Sequence, residues 1–275
     1  MLTFEQYTYE VYPNSGAASS YIRAISIMDE LFAHNDIFDL KGKSLSIVDD
    51  LEILLEIERF VIEQESKYCK GLPSFFDNVG PRQTSYPSNG FCKAAMAHLI
   101  RYREYIDHKK ADEVLTQFVS KGKSGEAISK RMIATFNLDK EGGERVVQTR
   151  TRIGQDYFRK MLLSIYNGSC CVTGLNVPEL LRASHINAWK DDKKNRLNPE
   201  NGLCLSATYD AAFDKHLISF DDDYKMIVSK HIKDYYTSAV TQDYFMKYEG
   251  KQISLPTSFY PDKKLLSKHR DQLVG

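Results

Sequence analysis

The stretch RASHINAWKDDKKNRLNPENGLCLSATYDAAFD, residues 182–214, constrains the fold more than any other part of the chain. It changes character three times in a short span. A run of small and apolar residues ends at Ser184-His185-Ile186. A polar loop rich in Lys, Asp and Asn follows, and an apolar run from Gly202 then passes directly into ATYDAAFD. The first and third segments predict short strands and the last predicts a helix, with a tight turn at Asn201-Gly202. Strand, loop, strand and helix fold into a small cup.

The cup holds a particular set of side chains. His185 ends the first strand, and Asn201 follows in the turn. Asp210 and Asp214 are four residues apart, so a helix places both carboxylates on one face. Hydrolysis of a phosphodiester needs an activated water and a cation near the scissile phosphate. An imidazole titrating near neutrality suits the water. Asp and Asn oxygens suit a hard cation such as Mg²⁺. Each residue also has a plain reading. His185 alone is an ordinary surface or core histidine, Asn201 is a turn former, and Asp210 is a helix cap. Asp214 is either a second ligand or a helix-face carboxylate. Trp189 reads as a packing anchor, Cys170-Cys171 in CCVTG as a buried fold element, and DDDY at 221–224 as a solvated hairpin turn.

The order and spacing of these residues resemble the HNH endonuclease family, and within it the subgroup of bacterial restriction-like nucleases. The resemblance runs through RIGQDYFRKMLLSIYNGSCCVTG, then LLRASHINAW, then NRLNPENGLCLSATYDAAFDKHLISFD, covering about residues 150–229. It implies a ββα-metal nuclease domain with flanking helices; with the mainly helical N-terminal domain read from the apolar spacing of residues 1–118, the chain is expected to be α+β. The resemblance also implies a metal-dependent DNA endonuclease of a restriction or anti-phage defence system, using Mg²⁺ with Mn²⁺ as a substitute. By the same resemblance His185 is the general base, Asn201 fixes the loop and the histidine, and Asp210 is a metal ligand. Ser184 stands where the wider superfamily often has an Asp ligand, so either Asp214 joins Asp210 or waters and phosphate complete the shell. Lys215-His216 stand where a glycine is common. Arg150, Arg152, Arg159, Arg196, Lys215 and His216 are the expected DNA contacts. The alternative is a non-catalytic DNA- or partner-binding protein that keeps the fold.

Elsewhere the chain reads by pattern. Residues 1–118 carry apolar residues at helical spacing in SYIRAISIMDELFAHN and IVDDLEILLEIERFVIEQESKY. A further helix runs from GFCKAAM to about Val119, with a break expected near Asp107. Gly- and Lys-rich punctuation makes residues 119–146 a linker with one short helix, leaving 147–275 as the nuclease domain. A basic amphipathic helix is expected over 148–166, a β-hairpin over LISFDDDYKMIVS, and a last helix with Pro261 near its first turn.

Composition excludes little but directs the rest. With 42% apolar and 27% charged residues, a packed core is expected and wholesale disorder is not. Net charge is zero, yet residues 120–160 hold ten Lys or Arg against five Asp or Glu, so a local basic patch is available to nucleic acid. No window approaches the ~20 apolar residues of a membrane span. The five cysteines lack regular spacing and no signal peptide is visible, so reduced thiols, a cytoplasmic location and no structural zinc are expected. One such site cuts one strand. A homodimer built on the apolar helices of residues 1–118 is the expected route to a double-strand cut.

Overall fold

The computed structural model describes residues 1–275 except 36, 39, 41, 142 and 236 and the side chain of Arg145. Contacts divide the chain into two units: residues 1–110 with 141–149, and residues 111–140 with 150–275. Among the described residues, no helix is long and apolar enough to cross a membrane.

The first unit is helical because its apolar residues recur at helical spacing and its helix starts carry short oxygen side chains. Helices α1 (Phe4–Val11), α2 (Gly16–Ala33) and α3 (Leu51–Cys69) open at Thr3, Ser15 and Asp50, each accepting from a first-turn amide. Ile27, Met28, Leu54, Ile57 and Val61 are buried on the inward faces. A short helix α4 (Ser85–Ser88) lies in the predicted loop, before α5 (Phe91–Ser120). The buried Glu65 carboxylate on α3 accepts from the amides of Cys92 and Lys93, and so satisfies the start of α5. The break expected near Asp107 is not there. Arg103 donates to Asp107 at 2.8 Å across one helical turn, which ties the helix through that point.

In the second unit, the 119–146 stretch expected as a linker carries α6 (Gly125–Thr135), with Ile128, Met132 and Ile133 buried. The Ser129 hydroxyl donates to Lys194 O at 2.6 Å and accepts from Leu197 N at 3.3 Å. This helix therefore fastens the 194–200 loop, a tertiary role that its Gly-rich flanks conceal. Helix α7 (Glu144–Ile165) follows and ends at Asn167 and Gly168, both at positive φ.

The predicted cup forms as β1 (Leu181–His185), β2 (Gly202–Ser206) and α8 (Ala207–Asp214). The strands are antiparallel, with Ser184 opposite Leu203 and His185 opposite Gly202. Asn201 closes a 3₁₀ turn, Pro199–Asn201, but Gly202 is not a turn residue: its backbone is extended. A Cβ on Gly202 would lie 2.5 Å from a Leu162 methyl carbon and 2.7 Å from Phe158 Cζ, so glycine is there to let β2 approach α7. The predicted hairpin is β3 (Ile218–Phe220) with β4 (Met226–Val228), turned where Asp221 Oδ1 accepts the amides of Asp223 and Lys225. Helices α9 (Lys230–Tyr235), α10 (Ala239–Tyr244) and α11 (Lys263–Arg270) complete the unit. Asp262 caps α11, so Pro261 precedes the cap instead of lying in the first turn.

Candidate active site

Strand β1 carries His185 to the mouth of a cleft of about 590 Å³ within the second unit. Three contacts set the imidazole. Its ring stacks on Phe158 of α7 at 3.9 Å between centroids, and Trp189 meets it edge-on at 5.6 Å. Nε2 lies 2.9 Å from Arg196 O. A carbonyl only accepts, so Nε2 carries the proton and the lone pair is on Nδ1. No described residue donates to Nδ1. Burial lowers the His185 pKa from its ordinary value, partly offset by the bond to Arg196 O, so the ring is neutral at neutral pH.

Asn201 holds the loop that holds His185. It is fully buried. Its Oδ1 accepts from Asn187 N at 2.8 Å, and its Nδ2 donates to Asn187 O at 3.1 Å and Asn195 O at 3.2 Å. The ends of the 187–195 loop are thereby clamped by one amide group. Arg196 completes the clamp: its Nε donates to Trp189 O at 3.2 Å while its guanidinium lies over the Trp189 ring.

Asp210 and Asp214 both line the cleft from α8, as their i, i+4 spacing predicts. The Asp214 pKa is raised, first by burial and then by the negative charge of Asp210, with His216 opposing. The Ser184 hydroxyl donates to Asp210 Oδ1. Ser184 is only 2% exposed. The Ser184 hydroxyl therefore orients the Asp210 carboxylate. Among the described residues, no group of three or more His, Cys, Asp or Glu could hold a metal. Two carboxylates on one cleft wall nevertheless fit a hard divalent ion that keeps most of its waters, which needs only one or two protein carboxylates.

The expected DNA contacts separate by environment. Arg150 is only 5% exposed, which removes it from any DNA surface. Arg159 lines the cleft, but its guanidinium donates to Leu181 O at 2.7 Å and Pro178 O at 2.8 Å and so anchors the entry to β1. Arg152 and Lys215 are exposed. His216 lines the cleft at φ 53, beside His269 at 4.5 Å. Among the cleft residues that sequence reasoning missed are Arg182, Asn187 and His269. Arg182 is exposed two residues before Ser184, on the same strand face, and alternation along β1 could have found it. Asn187 lies on the clamped loop. His269 comes from α11 with no local signal: it stacks on Phe213 at 3.7 Å, donates to Phe213 O and accepts from the Ser219 hydroxyl.

Residues 170–221 match a family model described as HNH endonuclease. The matched span contains β1, β2 and α8, with His185, Asn201 and Asp210. Nucleases of this family typically use a divalent metal. The comparison with curated proteins returns no match.

Proposed function

We propose that this chain is a divalent-metal-dependent DNA endonuclease in which His185 activates the attacking water. The observation that carries this reading is the bond from His185 Nε2–H to Arg196 O, which leaves the lone pair on Nδ1 of a ring that lines one cleft with Asp210 and Asp214. Nδ1 takes a proton as water oxygen attacks phosphorus in line. The bond to the 3′ oxygen breaks, giving 5′-phosphate and 3′-hydroxyl ends. Phe158 and the Asn201 clamp hold the ring still through the step, so Asn201 acts by positioning. Asp210, oriented by Ser184, and Asp214 would hold Mg²⁺ or Mn²⁺. That ion would supply positive charge to the scissile phosphate and the departing oxygen. Arg182 and Arg152 supply sequence-independent phosphate contacts.

The resemblance of residues 150–229 to restriction-like nucleases supports defence against foreign DNA as the cellular role, with residues 1–118 as recognition, dimerisation or regulatory region. The test is plasmid relaxation by purified protein with Mg²⁺ or Mn²⁺, with chelator, and with Asp210→Asn. Metal-dependent relaxation abolished in the variant is the expected result. Relaxation indifferent to chelator and to Asp210→Asn would overturn the reading.

A further inference from the structure

A second cleft in the same unit has a different chemistry. Its volume is about 500 Å³, within the range of small-ligand sites. One wall is the N-terminus of α8, where Ser206, Ala207 and Thr208 line the cleft. The first amides of a helix have no partner within it and carry a partial positive charge. In α8 no side chain caps them.

The N-cap residue itself supplies an independent observation. Ser206 is 8% exposed, and its hydroxyl has no hydrogen-bond partner among the described residues. An N-cap serine hydroxyl ordinarily bonds the helix amides, whereas this one, on a residue that lines the cleft, is left accessible. Ser206 instead leaves both its hydroxyl and those amides open to one cavity, the arrangement that binds an anion. Tyr209, Tyr244 and Tyr248 also line the cleft. Tyr248 meets the Tyr209 ring edge-on at 6.0 Å, and the ammonium groups of Lys247 and Lys251 lie 5.7 and 5.8 Å from the Tyr248 ring. Tyr244 and Leu180, about half exposed, form the rim. Flat apolar walls beside an anion site suit a planar ring next to a phosphate. Asp243, exposed at the same rim, offers an acceptor to sugar hydroxyls.

We propose that the cleft between the α8 N-terminus and Tyr244–Tyr248 binds a nucleotide, with its phosphate on Ser206 and the first amides of α8 and its base against the tyrosines. The nucleotide is either free or part of a DNA strand, and this assignment does not depend on the nuclease reading. Calorimetric titration of the full chain tests it, using 5′-AMP, adenosine, inorganic phosphate and a short single-stranded oligonucleotide. The variants are Ser206→Ala, Thr208→Glu and, as a control in the other cleft, Arg182→Ala. A glutamate at position 208 suits a helix first turn, so that variant keeps the fold while placing a negative charge in the anion site. The expected result is saturable 5′-AMP binding, stronger than adenosine or phosphate alone, weakened about tenfold by Thr208→Glu and less by Ser206→Ala. Arg182→Ala leaves it unchanged. Oligonucleotide binding without 5′-AMP binding, weakened by Thr208→Glu beyond the loss that Arg182→Ala causes through the other cleft, supports the site with DNA as the source. Binding of neither ligand, equal binding by Thr208→Glu and wild type, or loss of binding only in Arg182→Ala would overturn the proposal.

Discussion

Replacing Asn201 tests the frame of the site apart from its chemistry. The side chain is fully buried and makes three hydrogen bonds to backbone, one accepted at 2.8 Å and two donated at 3.1 and 3.2 Å. At about 1 kcal/mol net for each, Asn201→Ala is expected to cost about 3 kcal/mol. Asn187 and Asn195 are half-buried, so their freed backbone groups reach water in part and the cost does not climb far above that. Asn201→Asp is more informative. It keeps the acceptor for Asn187 N but sets a buried carboxylate against two carbonyl oxygens, so it is expected to be the less stable variant. Amide hydrogen exchange reads the effect locally. The Asn187 amide is protected in the wild type and opens in both variants, most in Asn201→Asp. DNA cutting falls in the same order, because the clamped loop carries the carbonyl that holds His185. An Asn187 amide equally protected in all three proteins would refute the reasoning.

Other outcomes follow from the same geometry. Gly202→Ala forces a Cβ against Leu162 and Phe158 and is expected to cost about 1–3 kcal/mol in thermal melting, with a loss of cutting because Phe158 supports His185. The cutting rate should fall in acid with a midpoint below pH 6.5, since burial lowers the His185 pKa and only the neutral ring can take a proton; a midpoint above 6.5 contradicts this. His269 should titrate by NMR at about 4, since burial and neighbouring His216 disfavour its charged form. The unfolded chain takes that proton first, so the neutral ring's share of stability is complete above pH 6.5. About 3 kcal/mol is then lost as pH falls from 6.5 towards 4.

The parts of the site that could be read from sequence are those written within a short span. His185, Asn201, Asp210 and Asp214 lie on one strand, turn and helix, where period and turn chemistry fix neighbours. The parts that could not be read depend on distant partners. The Gly-rich flanks of α6 indicate flexibility, but Ser129 docks on Lys194 and Leu197 some 65 residues away. Arg150 has the charge of a phosphate contact and the position of a core residue, and helical spacing alone does not separate the two. The bond from Ser184 to Asp210 joins two elements 26 residues apart, so no local pattern announces it. Asp107 is a poor helix former by itself, and the Arg103 bond one turn earlier carries the helix through it.

The central claim is that His185 Nδ1 takes the proton of the attacking water. The most direct measurement is the single-turnover rate of plasmid cutting by His185→Ala beside wild type, under saturating Mg²⁺ or Mn²⁺ and with DNA binding measured in parallel. Loss of a general base should slow cutting by about 10²–10⁴-fold while leaving DNA affinity within a few fold. Cutting by His185→Ala at the wild-type rate would contradict the account.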